Sequence, residues 1–385
     1  MFNPIFIYVA IWSVQLFYYL FLGSAFYPLL INTYFIILLS VIGFTFGASL
    51  IAVAPRLNSR TVMSFDTAQV VARFATNALT LYLISLVIVV LFARADIYSL
   101  AGGGIDFERI RVLIIQDFAG ERLLYSYIRF FTFGVFLSIF LLSYARFLSK
   151  RLVALIFITG CASALLTTGR LTLLLMFVCS TYLFYAQRII KIRHVVALML
   201  LFVFLFFGVA FLLNKGGESG LLNSVVWNLK VYMFSSLSCF NDYVGSAATS
   251  ENILIPNFMR QAVNNIFGSS FELKPDLNPF AYVPLPCNTY TYLYPIYNDG
   301  GPILVLIMSS VVGFVHYLLY NLARKTEAPL CQYLYAISLY PLVMTIFEDG
   351  YFSSFGFWLI SIMPVLLFRL YIISSRLLRY SVVSN

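Results

Sequence analysis

Charged side chains are scarce in this chain. Asp, Glu, Lys and Arg make up 10% of its 385 residues, whereas soluble globular proteins usually contain about 25%. So few charges exclude a soluble globule, because they cannot cover a water-exposed surface. The formal net charge of +9 comes from short loops between apolar runs, where Lys and Arg favour contact with anionic membrane lipid. Nothing in this pattern predicts nucleic-acid binding.

Histidine and cysteine are also rare. The two histidines, His194 and His316, have no Cys, Asp or Glu at ligand spacing, so the sequence predicts no metal site. Neither a P-loop nor a dinucleotide glycine motif occurs, and we expect no cofactor. Of the five cysteines, Cys239 and Cys287 are expected on one oxidising side. Two cysteines share a side by chance often enough that we favour unpaired thiols.

Long apolar runs dominate what is present. Hydrophobic residues make up 62% of the chain, and a run of about 20 apolar residues crosses a bilayer as a helix. The sequence therefore predicts an all-α, polytopic integral membrane protein, with about ten transmembrane helices in a single membrane domain, 1–385. The predicted spans are 4–22, 34–54, 74–94, 123–145, 152–168, 171–187, 195–213, 302–322, 330–347 and 355–373.

The loop cations set the expected orientation. If ten helices alternate, the Lys and Arg clusters fall on one side, which the positive-inside rule makes cytoplasmic. Both termini are then cytoplasmic. We expect the first apolar segment to be retained, because it lacks a basic n-region and a small-residue cleavage site. The clustered cations are Arg56, Arg60, Arg73, Arg146, Lys150, Arg151, Arg188, Lys191, Arg193, Arg324, Lys325, Arg376 and Arg379.

Two outer loops are long enough to fold. The first, 95–122, alternates charges with an apolar run and predicts a short amphipathic helix on the membrane surface. The second, 214–301, precedes helix eight and is rich in apolar and aromatic residues. Because long loops without structure are uncommon, we expect it to be partly helical.

Arg170 carries a charge that is energetically unfavourable within a membrane. It follows Thr167-Thr168-Gly169 between two apolar legs that each cover only about 25 Å, so the turn is expected just below the outer headgroups. Its guanidinium either extends to lipid phosphate or grips a diphosphate as a bidentate fork. We expect the loop cations Lys215 and Arg260 to be solvated, and a helping role at the diphosphate is the alternative.

Three outer carboxylates are candidates for acid–base chemistry. Glu348 and Asp349 are adjacent, so they either share a proton, which raises one pKa, or form a solvated Asp-Gly turn. Asp299 precedes Gly300-Gly301-Pro302 at the start of helix eight. It is either a base beside the aromatic segment or a helix N-cap.

Tyrosines crowd the segment just before Asp299. Tyr is common at membrane interfaces, but interfacial rings are usually scattered. Aromatic faces together with hydroxyls suit a sugar, which offers both C–H faces and hydroxyl groups. The tyrosines are Tyr290, Tyr292, Tyr294 and Tyr297.

The segment 288–301, Asn-Thr-Tyr-Thr-Tyr-Leu-Tyr-Pro-Ile-Tyr-Asn-Asp-Gly-Gly, resembles the Thr-x-Tyr and Pro-x-Tyr-x-Asp-x-Gly signature of Wzy-type O-antigen and capsule repeat-unit polymerases. The Thr-Gly-Arg turn at 168–170, the helix number and the large loop before the signature are similar too. Gly300 stands where an aromatic residue is expected after the Asp.

The resemblance implies a metal-independent glycosyltransferase at the outer face of the bacterial inner membrane. It would polymerise undecaprenyl-diphosphate-linked oligosaccharide repeat units, with a chain-length regulator as a further partner. Arg170 would bind the diphosphate, helped by Lys215 or Arg260. Asp299 would orient or deprotonate the acceptor hydroxyl, and Tyr294 and Tyr297 would line the sugar cleft. Further substrate-binding candidates are Tyr290, Glu348 and Asp349.

Two alternatives come from other classes. An O-antigen ligase shares the architecture, but we would expect a histidine in its large outer loop. A polysaccharide flippase would place charges or broken helices near the membrane midplane, whereas the predicted helix interiors here are nearly free of charge.

Overall fold

The fold is described from a computed structural model. It covers residues 2–23, 26–52, 65–101, 113, 123–198, 200–201, 221–246, 255–273, 278–284, 286–352 and 355–383. The chain divides into two compact units. Unit 1 comprises Met1–Asn58, Glu218–Lys325 and Ser338–Phe355. Unit 2 comprises Ser59–Gly217, Thr326–Ile337 and Gly356–Asn385.

Helices account for most of the described chain. They are α1 (Pro4–Leu22), α2 (Ile31–Ala52), α3 (Phe65–Ala101), α4 (Leu123–Leu142), α5 (Lys150–Leu166), α6 (Arg170–Ala186), α7 (Leu221–Gly245), α8 (Asn257–Phe267), α9 (Leu293–Thr326), α10 (Pro329–Met344) and α11 (Phe355–Val383). A 3₁₀ turn covers Ala145–Phe147, and 192–198 is also helical. The strands β1 (Ala281–Tyr282) and β2 (Pro286–Cys287) form a small antiparallel hairpin.

Five helical stretches of the described chain are long and apolar enough to cross a membrane. They are Pro4–Leu22, Ile31–Ile51, Ala68–Ser99, Leu293–Thr326 and Gly356–Ser375. Two shorter apolar helices are Ser126–Leu142 and Arg170–Ala186. The all-α, multi-pass membrane architecture is therefore confirmed, while the expected total of about ten spans stays a prediction.

The two loops predicted to lie on the outer side are only partly within the described residues. The 95–122 loop begins inside α3, which continues to Ala101. The amphipathic helix predicted beyond it lies almost entirely outside the described residues. The 214–301 loop contains α7, α8 and the hairpin, so its partly helical character is confirmed.

Helices α2 and α9 of unit 1 approach each other very closely. A Cβ added to Gly47 would lie 1.8 Å from the Ser310 carbonyl oxygen, and one added to Gly313 would lie 2.0 Å from the Phe44 carbonyl oxygen. Small residues allow this backbone contact between apolar helices, where dispersion rather than water exclusion holds the pair.

Unit 2 is built around α3, α4, α5 and α6. Tyr82 of α3 packs on Gly134 of α4, and its hydroxyl forms a 2.9 Å hydrogen bond with Ser163 of α5. Aromatic rings, including Phe74, Phe140 and Phe368, fill much of this core. Arg170 lies at the end of the tight turn between α5 and α6.

Candidate functional site

The signature segment, residues 288–301, is anchored by a disulfide at the residue just before it. Cys287, in β2, forms a disulfide with Cys239 of α7, so the expectation of unpaired thiols was wrong. The hairpin explains the pairing, since it returns the chain to α7 before the tyrosines begin. The segment is therefore tied to α7 through the residue that precedes it.

Helix α9 is broken immediately after Asp299. Gly300 (φ −146°, ψ 20°) and Gly301 (φ 62°, ψ −158°) leave helical geometry, and Pro302 follows. Gly301 adopts a left-handed φ that disfavours side chains, and Pro302 suits a helix start because it needs no N–H donor there. The long second piece therefore starts at Pro302, where helix eight was predicted to begin, and a short helical piece, 293–299, precedes it and ends at Asp299.

Asp299 contacts the start of a helix in the preceding loop. Its Oδ2 accepts a 2.7 Å hydrogen bond from the backbone N–H of Asn257, the first residue of α8. A carboxylate at this position also interacts favourably with the positive end of the helix dipole. The contacted helix lies 42 residues earlier in the chain, so the predicted choice for Asp299 between a base and an N-cap of helix eight stays a prediction.

Arg260 is buried, so the expectation of a solvated loop cation was wrong. Its side chain is fully buried, and Nη2 lies 3.5 Å from Asp299 Oδ1. Nε donates to the Ile255 carbonyl at 3.1 Å, and Nη1 donates to the Glu272 carbonyl at 3.2 Å. The guanidinium thereby joins α8, the chain on both sides of it and the break in α9.

The tyrosines pack tightly on one another and on α7. Tyr290 and Tyr294 are both buried and stack with their ring centroids 4.1 Å apart. Tyr243 of α7 meets Tyr294 edge to face at 4.8 Å, and its hydroxyl donates to Asn298 Oδ1 at 2.5 Å. Burial raises the pKa of Tyr290 to about 12. Of the three tyrosines predicted to contact sugar, Tyr297 is the most exposed.

Tyr292 is a structural centre that the sequence prediction missed. Its hydroxyl lies 2.6 Å from Tyr8 Oη, 2.7 Å from Ser40 Oγ and 2.7 Å from Ser309 Oγ. All four side chains are buried. This hydroxyl cluster joins the segment to α1, α2 and α9, and the sequence gives no signal for it because the partners are far apart in the chain.

A second turn lies beside the segment, at 345–352. The backbone N–H of Tyr292 donates to the Thr345 carbonyl at 3.0 Å. At the other end of the turn, the Tyr351 hydroxyl lies 2.8 Å from Nε2 of the buried His316, and Phe352 stacks on Phe258 of α8 at 4.9 Å. The turn, α8 and the signature segment therefore form one continuous polar and aromatic region of unit 1.

The two adjacent acidic residues of this turn, Glu348 and Asp349, have different surroundings. Asp349 closes the turn, because its carboxylate accepts the backbone N–H groups of Tyr351 at 2.9 Å and Phe352 at 3.1 Å. Glu348 is half-buried, and Oε1 accepts a long 3.4 Å hydrogen bond from the Tyr340 hydroxyl. Burial, followed by the charge of Asp349, raises the pKa of Glu348 to about 7, although the Tyr340 hydrogen bond lowers it.

Arg170 belongs to unit 2, where it is the first residue of α6 and only 3% exposed. This burial does not support the interpretation in which its guanidinium extends into lipid headgroups. Thr168, two residues before it, has a left-handed φ of 54°, which is uncommon for a residue with a side chain. Lys215 lies outside the described residues. No group of three potential metal ligands occurs among the described side chains.

The amino-acid sequence of the chain can be compared with those of known proteins. The chain is 26% identical over 140 residues to a protein of Shigella dysenteriae. That protein is named an O-antigen polymerase. The match covers 36% of this chain and 35% of the relative, so the chain spans about a third of the relative's length in the comparison. No family model and no solved structure matches the chain.

Proposed function

We propose that this protein is a membrane glycosyltransferase that polymerises undecaprenyl-diphosphate-linked oligosaccharide repeat units into O-antigen or capsule polysaccharide. The observation that carries the proposal is the similarity to an O-antigen polymerase. It agrees with a chain of apolar helices that bears buried polar and charged groups at turns and helix ends. We place the reaction at the outer face of the inner membrane, with both termini in the cytoplasm.

The proposed reaction makes two demands on side chains. Negative charge develops on the departing diphosphate, so a cation must stabilise it. We assign this role to Arg170, because a buried guanidinium at the positive end of α6 favours an anion there. Lys215 remains a proposed helper at the diphosphate.

The acceptor sugar needs a binding surface and a proton acceptor. We propose that Tyr297, with Tyr290 and Tyr294 behind it, borders the sugar. Asp299 and Arg260 act as positioning residues, because their ion pair and the Asn257 hydrogen bond hold α8 against the break in α9. We also place the Glu348–Asp349 turn at this sugar-binding surface.

The test is a polymerisation assay with the full chain in lipid nanodiscs. The substrate is the undecaprenyl-diphosphate-linked repeat unit extracted from the strain that encodes the chain. We expect a ladder of glycans differing by one repeat, together with release of undecaprenyl diphosphate, and an unchanged yield when a chelator is added. Loss of product with the chelator would contradict metal independence.

Two further versions of the assay distinguish the polymerase from the ligase and flippase alternatives. A ligase would transfer glycan to added lipid A–core without forming a ladder. A flippase would move the lipid-linked unit across a vesicle bilayer without forming any glycosidic bond. Either result in place of the ladder, or no product in any arm, would overturn the proposed polymerase.

A further inference from the structure

Of the three candidate carboxylates, Asp299 and Asp349 are committed to structural contacts. Asp299 is bonded to the Asn257 N–H and paired with Arg260. Asp349 accepts the backbone N–H groups that close the turn. These contacts occupy oxygens of both carboxylates. Neither carboxylate is therefore suited to removing a proton from a sugar.

Glu348 differs from both. Its one hydrogen bond, from Tyr340, is long at 3.4 Å, and its side chain is half-buried. The carboxylate therefore keeps lone pairs for a ligand, and Glu348 as a residue is partly exposed. The other described carboxylates of unit 1, Asp242 and Glu272, lie exposed, where solvent surrounds them.

The backbone that carries Glu348 is held from several sides. The carbonyl of Ile346 accepts hydrogen bonds from Ser236 of α7 at 2.7 Å and from Gln15 of α1 at 3.2 Å. Gly350 packs against Pro341 so closely that an added Cβ would lie 2.9 Å from the ring. A fixed turn that presents one lightly bonded carboxylate is the arrangement that a preorganised acid–base group requires.

We propose that Glu348 is the group that accepts the proton from the attacking hydroxyl of the acceptor sugar. This inference rests on the proposed polymerase function. As the hydroxyl oxygen forms a bond to the donor anomeric carbon, its proton moves to the Glu348 carboxylate. The bond from the anomeric carbon to the diphosphate oxygen breaks, and its electron pair leaves with undecaprenyl diphosphate. Glu348 then returns the proton to water.

The charge state of Glu348 fits this role. Its pKa of about 7 is close to the operating pH, where a general base is most effective. The titratable groups around the turn are Tyr340 of α10, Asp349 and Tyr351 of the turn itself, Tyr292 of the signature segment and His316 of α9. Because only the ionised carboxylate accepts a proton, activity should rise with pH to a plateau, with its midpoint near 7.

The test measures the pH dependence of kcat/KM for polymerisation by wild type and Glu348→Gln. We expect the substitution to lower kcat at least about 100-fold and to remove the rise of the pH profile that is centred near pH 7. Binding of the lipid-linked substrate should stay within about threefold of wild type, since Gln has the same shape as Glu. Glu272→Gln is the matched control. It makes the same chemical change on an exposed residue of unit 1, whose contact with Arg260 uses only its backbone carbonyl.

Folding of the variant is checked separately. Gln resembles the protonated carboxyl that burial favours, so thermal unfolding of Glu348→Gln above pH 7 should match or exceed that of wild type. Polymer formation by Glu348→Gln at the wild-type rate, or a rise near pH 7 that persists in the variant, would overturn Glu348 as proton acceptor while the polymerase function stands. A wild-type protein that forms no polymer would instead overturn the proposed function, and this inference with it.

Discussion

At the scale of single residues, burial decides what each charge can do. Arg260 carries its charge in the interior of unit 1, where an unpaired guanidinium would be strongly unfavourable. It is balanced by Asp299 and by two backbone carbonyls. A charge so surrounded maintains local structure.

The ion pair predicts a loss of stability when one partner is neutralised. Asp299→Asn keeps an oxygen for the Asn257 N–H but removes the negative charge beside the buried Arg260 guanidinium, so we expect the free energy of unfolding to fall by about 3 kcal/mol or more. Unfolding in detergent micelles measures this change. Polymerisation per folded molecule should stay within about tenfold of wild type.

A double-mutant cycle is the control for this pair. Arg260→Met combined with Asp299→Asn removes both charges, and it should be less destabilising than the sum of the two single changes. Additive losses would show that the two side chains do not stabilise each other.

Arg170 is expected to act in the reaction itself. Arg170→Ala should lower polymerisation at least about 100-fold, because it removes charge stabilisation of the departing diphosphate. In cells, single-repeat lipid A should remain while long glycans disappear. Arg151→Ala is the control, since this exposed arginine belongs to the same unit. Normal glycan length in a stably expressed Arg170→Ala protein would exclude the assigned role.

At the scale of elements, helix α9 organises unit 1. Its long part packs on α2 through glycines, and its short first piece carries Tyr294 and Tyr297 and ends at Asp299. The hydroxyl cluster of Tyr292 joins these two parts to α1 and α2. The position of the signature segment therefore depends on how closely α2 and α9 approach.

Glycine substitutions test this approach. Gly47→Ala places a methyl group where the Ser310 carbonyl lies, so α2 must move and the yield of folded protein should fall sharply. Gly356→Ala in α11 is the matched control, because no atom lies within 4 Å of the added Cβ and alanine favours a helix by about 1 kcal/mol. Size-exclusion profiles and thermal unfolding report both outcomes. Equal stability of the two variants would contradict the close contact.

At the scale of the whole molecule, the helices followed from the sequence while the partners within the site did not. Apolar runs located the helices, because bilayer thickness sets span length. The break at Gly300-Gly301-Pro302 was also visible as a local signal. The partner of Asp299 was not, since Asn257 lies 42 residues earlier and no local pattern encodes that contact. Arg260 illustrates the same limit, because its position in a long loop predicted solvent exposure.

The disulfide gives a further prediction for the molecule. Cys239→Ser and Cys287→Ser should each lower the free energy of unfolding by about 2–4 kcal/mol, and the double variant should lose no more than either single variant, because one bond is removed in every case. Cys331→Ser is the control, since Cys331 is free. Mass spectrometry after alkylation without reduction should recover the Cys239 and Cys287 peptides as one linked species. Alkylation of both thiols would contradict the pairing.

The contact between Asp299 and the start of α8 has a consequence for biosynthesis. Helix α8 has only 11 residues, too few to persist alone in water, and its N-terminal partner is synthesised 42 residues later. During translation, α8 therefore stays unformed until the start of α9 has left the ribosome. Release of α9 into the bilayer then supplies Asp299, which both accepts the Asn257 N–H and carries the charge opposite Arg260, so we expect this part of the loop to mature only after the membrane helix that follows it.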